Sequence, residues 1–203
     1  MMGPIYAITD PDAALPIPEQ ARAAARGGAS LVQLRDKTGP DDDLASLVRL
    51  LMPEMVALGT KLIVNDRVEV ALATQAHGLH IGQDDGDVAE IRQRMPPGMI
   101  LGLSIETVAQ ARRIPPGVAY IGAGPVRATL TKPDHATPTG FDGLAQIVAV
   151  AGLPVYAIGG MKLGDARTVR AAGACGMAVV SAISRARDPE AACRALLAEW
   201  GKP

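Results

Sequence analysis

KLIVNDR, residues 61–67, sets an unbroken apolar run, Leu62-Ile63-Val64, directly against Asn65-Asp66. A strand with one wet face alternates apolar and polar residues. A continuous run suits a strand buried on both faces, as in a parallel sheet covered by helices. Such a strand does not end on two polar side chains unless they meet something. Seven similar runs accompany it: PIYAIT (4–9), SLVQL (30–34), GLHIG (78–82), MILGLS (99–104), VAYIG (118–122), PVYAIG (154–159) and GMAVVS (176–181). Helical patterns fill the gaps. Leu44, Leu47, Val48 and Leu51 follow helical spacing behind Asp41-Asp42-Asp43, which suit the positive end of that helix; Val88, Ile91 and Met95 repeat the pattern behind Asp87 and Glu90. Asp188-Pro189 opens the last helix as cap and first residue. Residues 20–26, 106–113 and 166–172 complete the set.

Eight strands alternating with about eight helices, with no break in composition, read as an α/β protein: a single (β/α)8 TIM barrel, one domain over residues 1–203. That length sits near the lower bound of the fold, roughly 200 residues. The competing architecture is a doubly wound open sheet. With 48% hydrophobic and 2% aromatic residues, the core is expected to be Ala, Val, Leu and Ile.

Net charge is -1 without a basic stripe, which argues against nucleic acid or an anionic membrane surface. Gly152 and Pro154 break the longest uncharged stretch, so it reads as helix, turn and strand, not as a membrane span. Cys175 and Cys193 share no metal or redox spacing and fit free thiols of a cytoplasmic protein.

In a barrel, chemistry gathers at the C-terminal strand ends, and here nearly all of those ends are polar. Asp66 and Asp85 follow neighbouring strands, about one β/α unit apart, and two oxygen donors with room for water and phosphate suit Mg2+. The plainer account of Asp66 is an N-cap for the next helix. In VQLRDK, alternation can turn Gln33, Arg35 and Lys37 one way, a set fit for a diphosphate; surface pairing with Asp36 or Asp41 is the alternative. The long segment 124–140 carries Thr129, Thr131 and Lys132, suited to phosphate oxygens or simply to an exposed loop. Gly159-Gly160 and Val180-Ser181 follow the last two strands, where barrels commonly hold phosphate; tight turns alone would also explain the glycines. His77 reads as a strand-entry residue and His135 as a loop residue. His80 is equally well a core or a site histidine.

Together YAITD, VQLRDK, LIVNDR, GLHIGQDD, GLS, YIGAGPV, the Thr129-to-Lys132 T-x-TK, AIGG and VVSAIS resemble the thiamine-phosphate synthase family over almost the whole chain. The resemblance implies two small-molecule substrates, a pyrimidine diphosphate and a thiazole phosphate, joined with release of diphosphate. It implies that Gln33, Arg35, Lys37, Asn65, Ser104 and Lys132 bind the first, with Arg35, Lys37 and Lys132 also catalytic. Asp66 and Asp85 would ligate Mg2+. Thr129, Thr131, Gly160, Val180 and Ser181 would hold the thiazole phosphate. The chain departs from the family's usual pattern at Ala123, where Phe is common, at Arg127, where an aromatic is common, and at His77. The rivals are a thiazole tautomerase-like paralogue, which would use a histidine near strand six, and a non-catalytic barrel binding a phosphorylated ligand.

Overall fold

A computed structural model describes residues 2–129, 131 and 136–201. Eight parallel strands, β1 (Ile5–Ile8), β2 (Leu31–Leu34), β3 (Lys61–Asn65), β4 (Gly78–Ile81), β5 (Ile100–Ile105), β6 (Tyr120–Ala123), β7 (Val155–Ala157) and β8 (Gly176–Val179), pair in chain order. The barrel closes where Ile5 of β1 meets Met177 of β8. All eight expected strands form. The helices are α1 (Ile17–Arg26), α2 (Asp41–Ala57), α3 (Val68–Thr74), α4 (Val88–Arg94), α5 (Val108–Ala111), α6 (Gly140–Ala151), α7 (Ala166–Ala171), α8 (Ser181–Ser184) and α9 (Pro189–Trp200). Among the described residues no helix is long and apolar enough to cross a membrane.

Helix starts follow local chemistry. Asp87 accepts from the Glu90 N–H at 2.9 Å, and Asp188 accepts from Ala191 N–H at 2.9 Å with Pro189 in the first turn. Thr107 and Gln110 form a reciprocal capping box that holds the short α5. Asp66 is not a cap: α3 starts behind Arg67 with no side-chain cap, and Asp66 has a left-handed backbone, φ 51°. The turn α8 directly after β8 had no signal of its own in the sequence.

The strands divide the core in two. Ala7, Val32, Leu62, Val64, Leu79, Leu101, Leu103, Ile121 and Val179 face the helices and join the outer core, built largely of aliphatic residues as expected. The barrel interior differs from the expectation. Tyr6, Tyr120 and Tyr156, all the tyrosines of the chain, fill it together with Ile8, Leu31, Ile63 and Ala178. Their rings meet edge to face, with centroids 5.5–5.6 Å apart, a geometry worth about 0.5–1.5 kcal/mol per pair beyond burial. Glycines make the room. A Cβ on Gly102 would stand 2.2 Å from Tyr120 Cζ, and one on Gly176 would stand 2.6 Å from Tyr156 Cε1.

Candidate active site

Above the tyrosine layer, the inward positions at the strand ends are Gln33 of β2, Asn65 of β3, His80 of β4 and Ser104 of β5. Gln33 is buried and its amide N–H donates to Tyr6 Oη at 2.5 Å. Ser104 Oγ lies 3.0 Å from His80 Nε2, and its backbone carbonyl accepts from Gln83 at 2.6 Å. His80 is therefore both a satisfied core residue and a neighbour of the strand-end serine. Burial pushes its pKa down to about 4, so the ring is neutral.

Asp66 leaves β3 in the left-handed turn, its N–H bonded to the His80 carbonyl at 2.9 Å. Its Oδ1 is buried without a hydrogen-bond partner among the described residues. Arg67 Nε stands 3.5 Å away, but not in hydrogen-bond geometry. Lys37 Nζ lies 3.8 Å from Oδ2. Burial raises the Asp66 pKa above the ordinary value. Lys37, Arg67 and Arg35 oppose that shift, while the nearby negative charge of Asp85 adds to it. Asp85 is exposed and its Oδ2 accepts from Gly82 N–H at 2.6 Å. The two aspartates thus share one electrostatic site. The described residues contain no group of three or more His, Cys, Asp or Glu able to hold a metal.

β2 ends at Leu34, so strand alternation governs Gln33 but not Arg35 and Lys37, which lie in the loop beyond it. What positions that loop is Arg67, which was not singled out from the sequence. Its guanidinium pairs with Asp41 and donates to the carbonyls of Asp36 and Gly39, each at 3.2 Å. Asp36 in turn accepts from the Thr38 and Gly39 N–H groups at 3.0 and 2.8 Å; the Gly39 bond is the main cause of its lowered pKa. The alternative foreseen for Arg35 and Lys37, pairing with Asp36 or Asp41, does not occur: Arg67 takes Asp41. Among the described residues the Arg35 side chain has no hydrogen bond or ion pair, though its charge reaches Asp66.

On the other side of the mouth, Gly159 and Gly160 have φ 94° and 66°. Thr129 and Thr131 hydroxyls lie 2.8 Å apart. Lys132 and His135 lie outside the described residues. Val180 follows β8 and caps α8, so that Ser181 is the first residue of that turn.

The thiamine monophosphate synthase family model matches residues 5–183. The chain belongs to the thiamine monophosphate synthase family. A thiamine-phosphate synthase of Roseiflexus sp. (strain RS-1) is 46% identical over 197 residues, covering 96% of this chain and 84% of the relative. Another, from Xanthobacter autotrophicus, is 44% identical over 197 residues, covering 96% of this chain and 93% of the relative. The thiamine phosphate pyrophosphorylase structure from Pyrococcus furiosus superposes with a TM-score of 0.88 at 32% identity, covering 97% and 94% of the two chains. A 3-hexulose-6-phosphate synthase structure, TM-score 0.70 at 16% identity, shares the fold.

Within this synthase-family barrel, the departures at Ala123 and Arg127 have different consequences. Ala123 is buried in the outer core and does not face the mouth. Arg127 holds the glycine turn. It donates to Asp165 through two nitrogens at 2.7 and 2.8 Å, donates to the Gly160 carbonyl at 3.1 Å, and lies 4.9 Å from the Phe141 ring centroid. The buried Asp165 also accepts from Lys162 N–H at 3.0 Å. At the barrel seam, buried Asp10 pairs with Arg185 at 2.6 Å. Asp165 and Arg185 carried no sequence signal, because each is defined by a partner far away in the chain.

Proposed function

We propose that the chain joins 4-amino-2-methyl-5-hydroxymethylpyrimidine diphosphate to 4-methyl-5-(2-hydroxyethyl)thiazole phosphate, giving thiamine phosphate and diphosphate. Family membership supports the reaction. The observation that carries the site is the buried Asp66 Oδ1, which has no hydrogen-bond partner among the described residues and only an ion-pair contact with Arg67, next to Lys37 and within reach of the charge of Asp85. A carboxylate left in that state suits a cation supplied with the substrate. Two protein carboxylates, with diphosphate and water providing the other oxygens, match the way Mg2+ is held. Magnesium on Asp66 and Asp85 would neutralise part of the negative charge that grows on the departing diphosphate.

The chain's own groups do the rest. Arg35 and Lys37 bring positive charge from the β2 loop to the same side of the mouth, and we assign Lys132 of the β6 loop to the same task. Donors placed where charge develops are each worth roughly 10²–10³-fold in turnover. Gln33, Asn65 and Ser104 hold the pyrimidine ring from the inward strand ends. The Gly159-Gly160 turn, Val180, Ser181, Thr129 and Thr131 cradle the thiazole phosphate. No general base is required, because the thiazole nitrogen attacks with a free lone pair. His80 would serve poorly as one, with both ring nitrogens engaged and its charged form disfavoured. Diphosphate departs first, and the electron-rich aminopyrimidine stabilises the methylene cation that the thiazole captures.

The test is incubation of the purified chain with both substrates and Mg2+, with thiamine phosphate measured directly. Product formation supports the proposal, and binding without product would make this a non-catalytic barrel. Replacing the 2-methyl by trifluoromethyl should slow single-turnover chemistry by orders of magnitude without matching loss of binding; a nearly normal rate would favour direct displacement.

A further inference from the structure

Four hydrogen bonds run through the barrel interior from one strand end to another. Gln33 Nε2 donates to Tyr6 Oη at 2.5 Å, Tyr6 Oη meets Tyr120 Oη at 2.8 Å, Tyr120 Oη meets His80 Nδ1 at 3.0 Å, and His80 Nε2 meets Ser104 Oγ at 3.0 Å. Tyr6, Tyr120 and His80 are buried, and every joint except the part-buried one at Ser104 lies in an interior where an unused donor is costly. Each hydroxyl, and the neutral imidazole, has one hydrogen to give. The direction of the first bond therefore dictates all the others. With one Gln33 N–H spent on Tyr6, the Tyr6 hydrogen goes to Tyr120, the Tyr120 hydrogen goes to His80 Nδ1, and His80 carries its hydrogen on Nε2 for Ser104. The two ends then face the mouth with opposite polarity: the Gln33 carbonyl as an acceptor and the Ser104 hydroxyl as a donor. Reversal would require the Gln33 amide to turn over and every hydrogen to change sides at once.

We infer that Tyr6, Tyr120 and His80 are positioning residues that fix the hydrogen-bond polarity of Gln33 and Ser104, so that the site selects a ring offering an N–H toward β2 and a lone pair toward β5. An aminopyrimidine has this pattern; its 4-oxo counterpart, with a carbonyl in place of the amino group, does not. The inference rests on the pyrimidine substrate proposed above. Gly102 is part of the device. It lies beside His80 in the β4–β5 register and beside Tyr120 in the β5–β6 register. A Cβ there would stand 2.4 Å from Tyr120 Oη and 2.5 Å from His80 Nδ1, on top of the joint between them. The gap in the inward row at β5 is thus filled by a hydrogen bond instead of a side chain.

The test compares the 4-amino and 4-oxo pyrimidine diphosphates in the wild type, Tyr6→Phe and Tyr120→Phe. Removing a hydroxyl frees the Gln33 amide to turn, so the kcat/KM preference for the 4-amino substrate should fall about tenfold, the worth of one mismatched hydrogen bond. The KM for thiazole phosphate should stay within about twofold, since the relay does not touch that end of the site. Intrinsic differences in ring reactivity cancel when the preferences of variant and wild type are compared. An unchanged preference, with both substrates slowed alike, would show that the tyrosines only pack, and would overturn the inference. A second measurement needs no substrate and no variant: the nitrogen NMR shifts of His80 should report hydrogen on Nε2 and a bare Nδ1, and the opposite tautomer would overturn the assigned direction. If the wild type made no thiamine phosphate at all while His80 showed the expected tautomer, the substrate assignment would fail and the relay would stand.

Discussion

Replacing Asp66 by Asn removes the charge while keeping the shape. It also suits the backbone, because Asn is among the few residues that adopt positive φ readily, and Asp66 sits at φ 51°. In the ligand-free fold the charged form is a burden. Oδ1 is buried without a hydrogen bond, a state that costs about 1–3 kcal/mol. Against this stand Lys37 at 3.8 Å, on a half-exposed side chain, and Arg67 at 3.5 Å, whose guanidinium is already shared with Asp41 and two carbonyls. Contacts of this kind return at most about 1 kcal/mol. Asn still places a polar atom there and removes only the charge, so Asp66→Asn should stabilise the ligand-free protein by up to about 1 kcal/mol, or up to about 2–4 °C in Tm for a chain of this size, while turnover is lost. The pH dependence has a definite sign. The folded pKa of Asp66 is raised, so the native state binds its proton more tightly than the unfolded chain. The penalty is complete above the folded pKa and disappears below the unfolded one, so the advantage of Asn is largest at neutral pH and shrinks as pH falls toward the carboxylate range. Thermal melts across that range check it. Adding Mg2+ with inorganic diphosphate should raise the wild-type Tm and leave the variant unmoved. Asp66→Ala, which also loses the left-handed preference, should melt below Asn. If Asp66→Asn were less stable than wild type at neutral pH without ligand, the carboxylate would be structurally engaged and the cation-site reasoning would fall.

Two further outcomes follow from the opposite side of the mouth. Gly160→Ala places a Cβ 2.9 Å from Arg127 Cβ at φ 66°, so steady-state kinetics should show the KM for thiazole phosphate rising about tenfold, well beyond any change for the pyrimidine diphosphate; equal changes would mean the turn does not serve that phosphate. Arg127→Leu leaves the Asp165 carboxylate, 7% exposed, without its two-nitrogen partner, and with Arg127 itself partly exposed urea denaturation should show a loss of about 2 kcal/mol. Asp165→Asn in the same background should recover much of that loss, and a loss below about 0.5 kcal/mol would show the pair to be idle.

Every strand and, apart from the short turn α8, every helix could be read in order from the residues alone. Apolar runs, helical spacing and caps are local properties, and each is written within a few residues of the element it makes. The polar strand ends were legible for the same reason: Asn65-Asp66 interrupts a run that would otherwise continue. Tertiary structure decided how those ends are used. Tyr6 and Tyr120 are 114 residues apart, and Arg127 and Asp165 are 38 apart; no local pattern marks such partners, because only strand register and barrel closure bring them within hydrogen-bond reach. The sparse aromatic content suggested a purely aliphatic core. It could not show that the inward positions of β1, β6 and β7 would collect every tyrosine, since which residues face inward follows from the register of all eight strands. Asp66 shows the same division. Its identity was readable as a carboxylate at a strand end, but its left-handed turn and the buried oxygen that lacks a hydrogen bond among the described residues exist only because the folded barrel takes it out of water with Arg67 nearby but out of hydrogen-bond geometry.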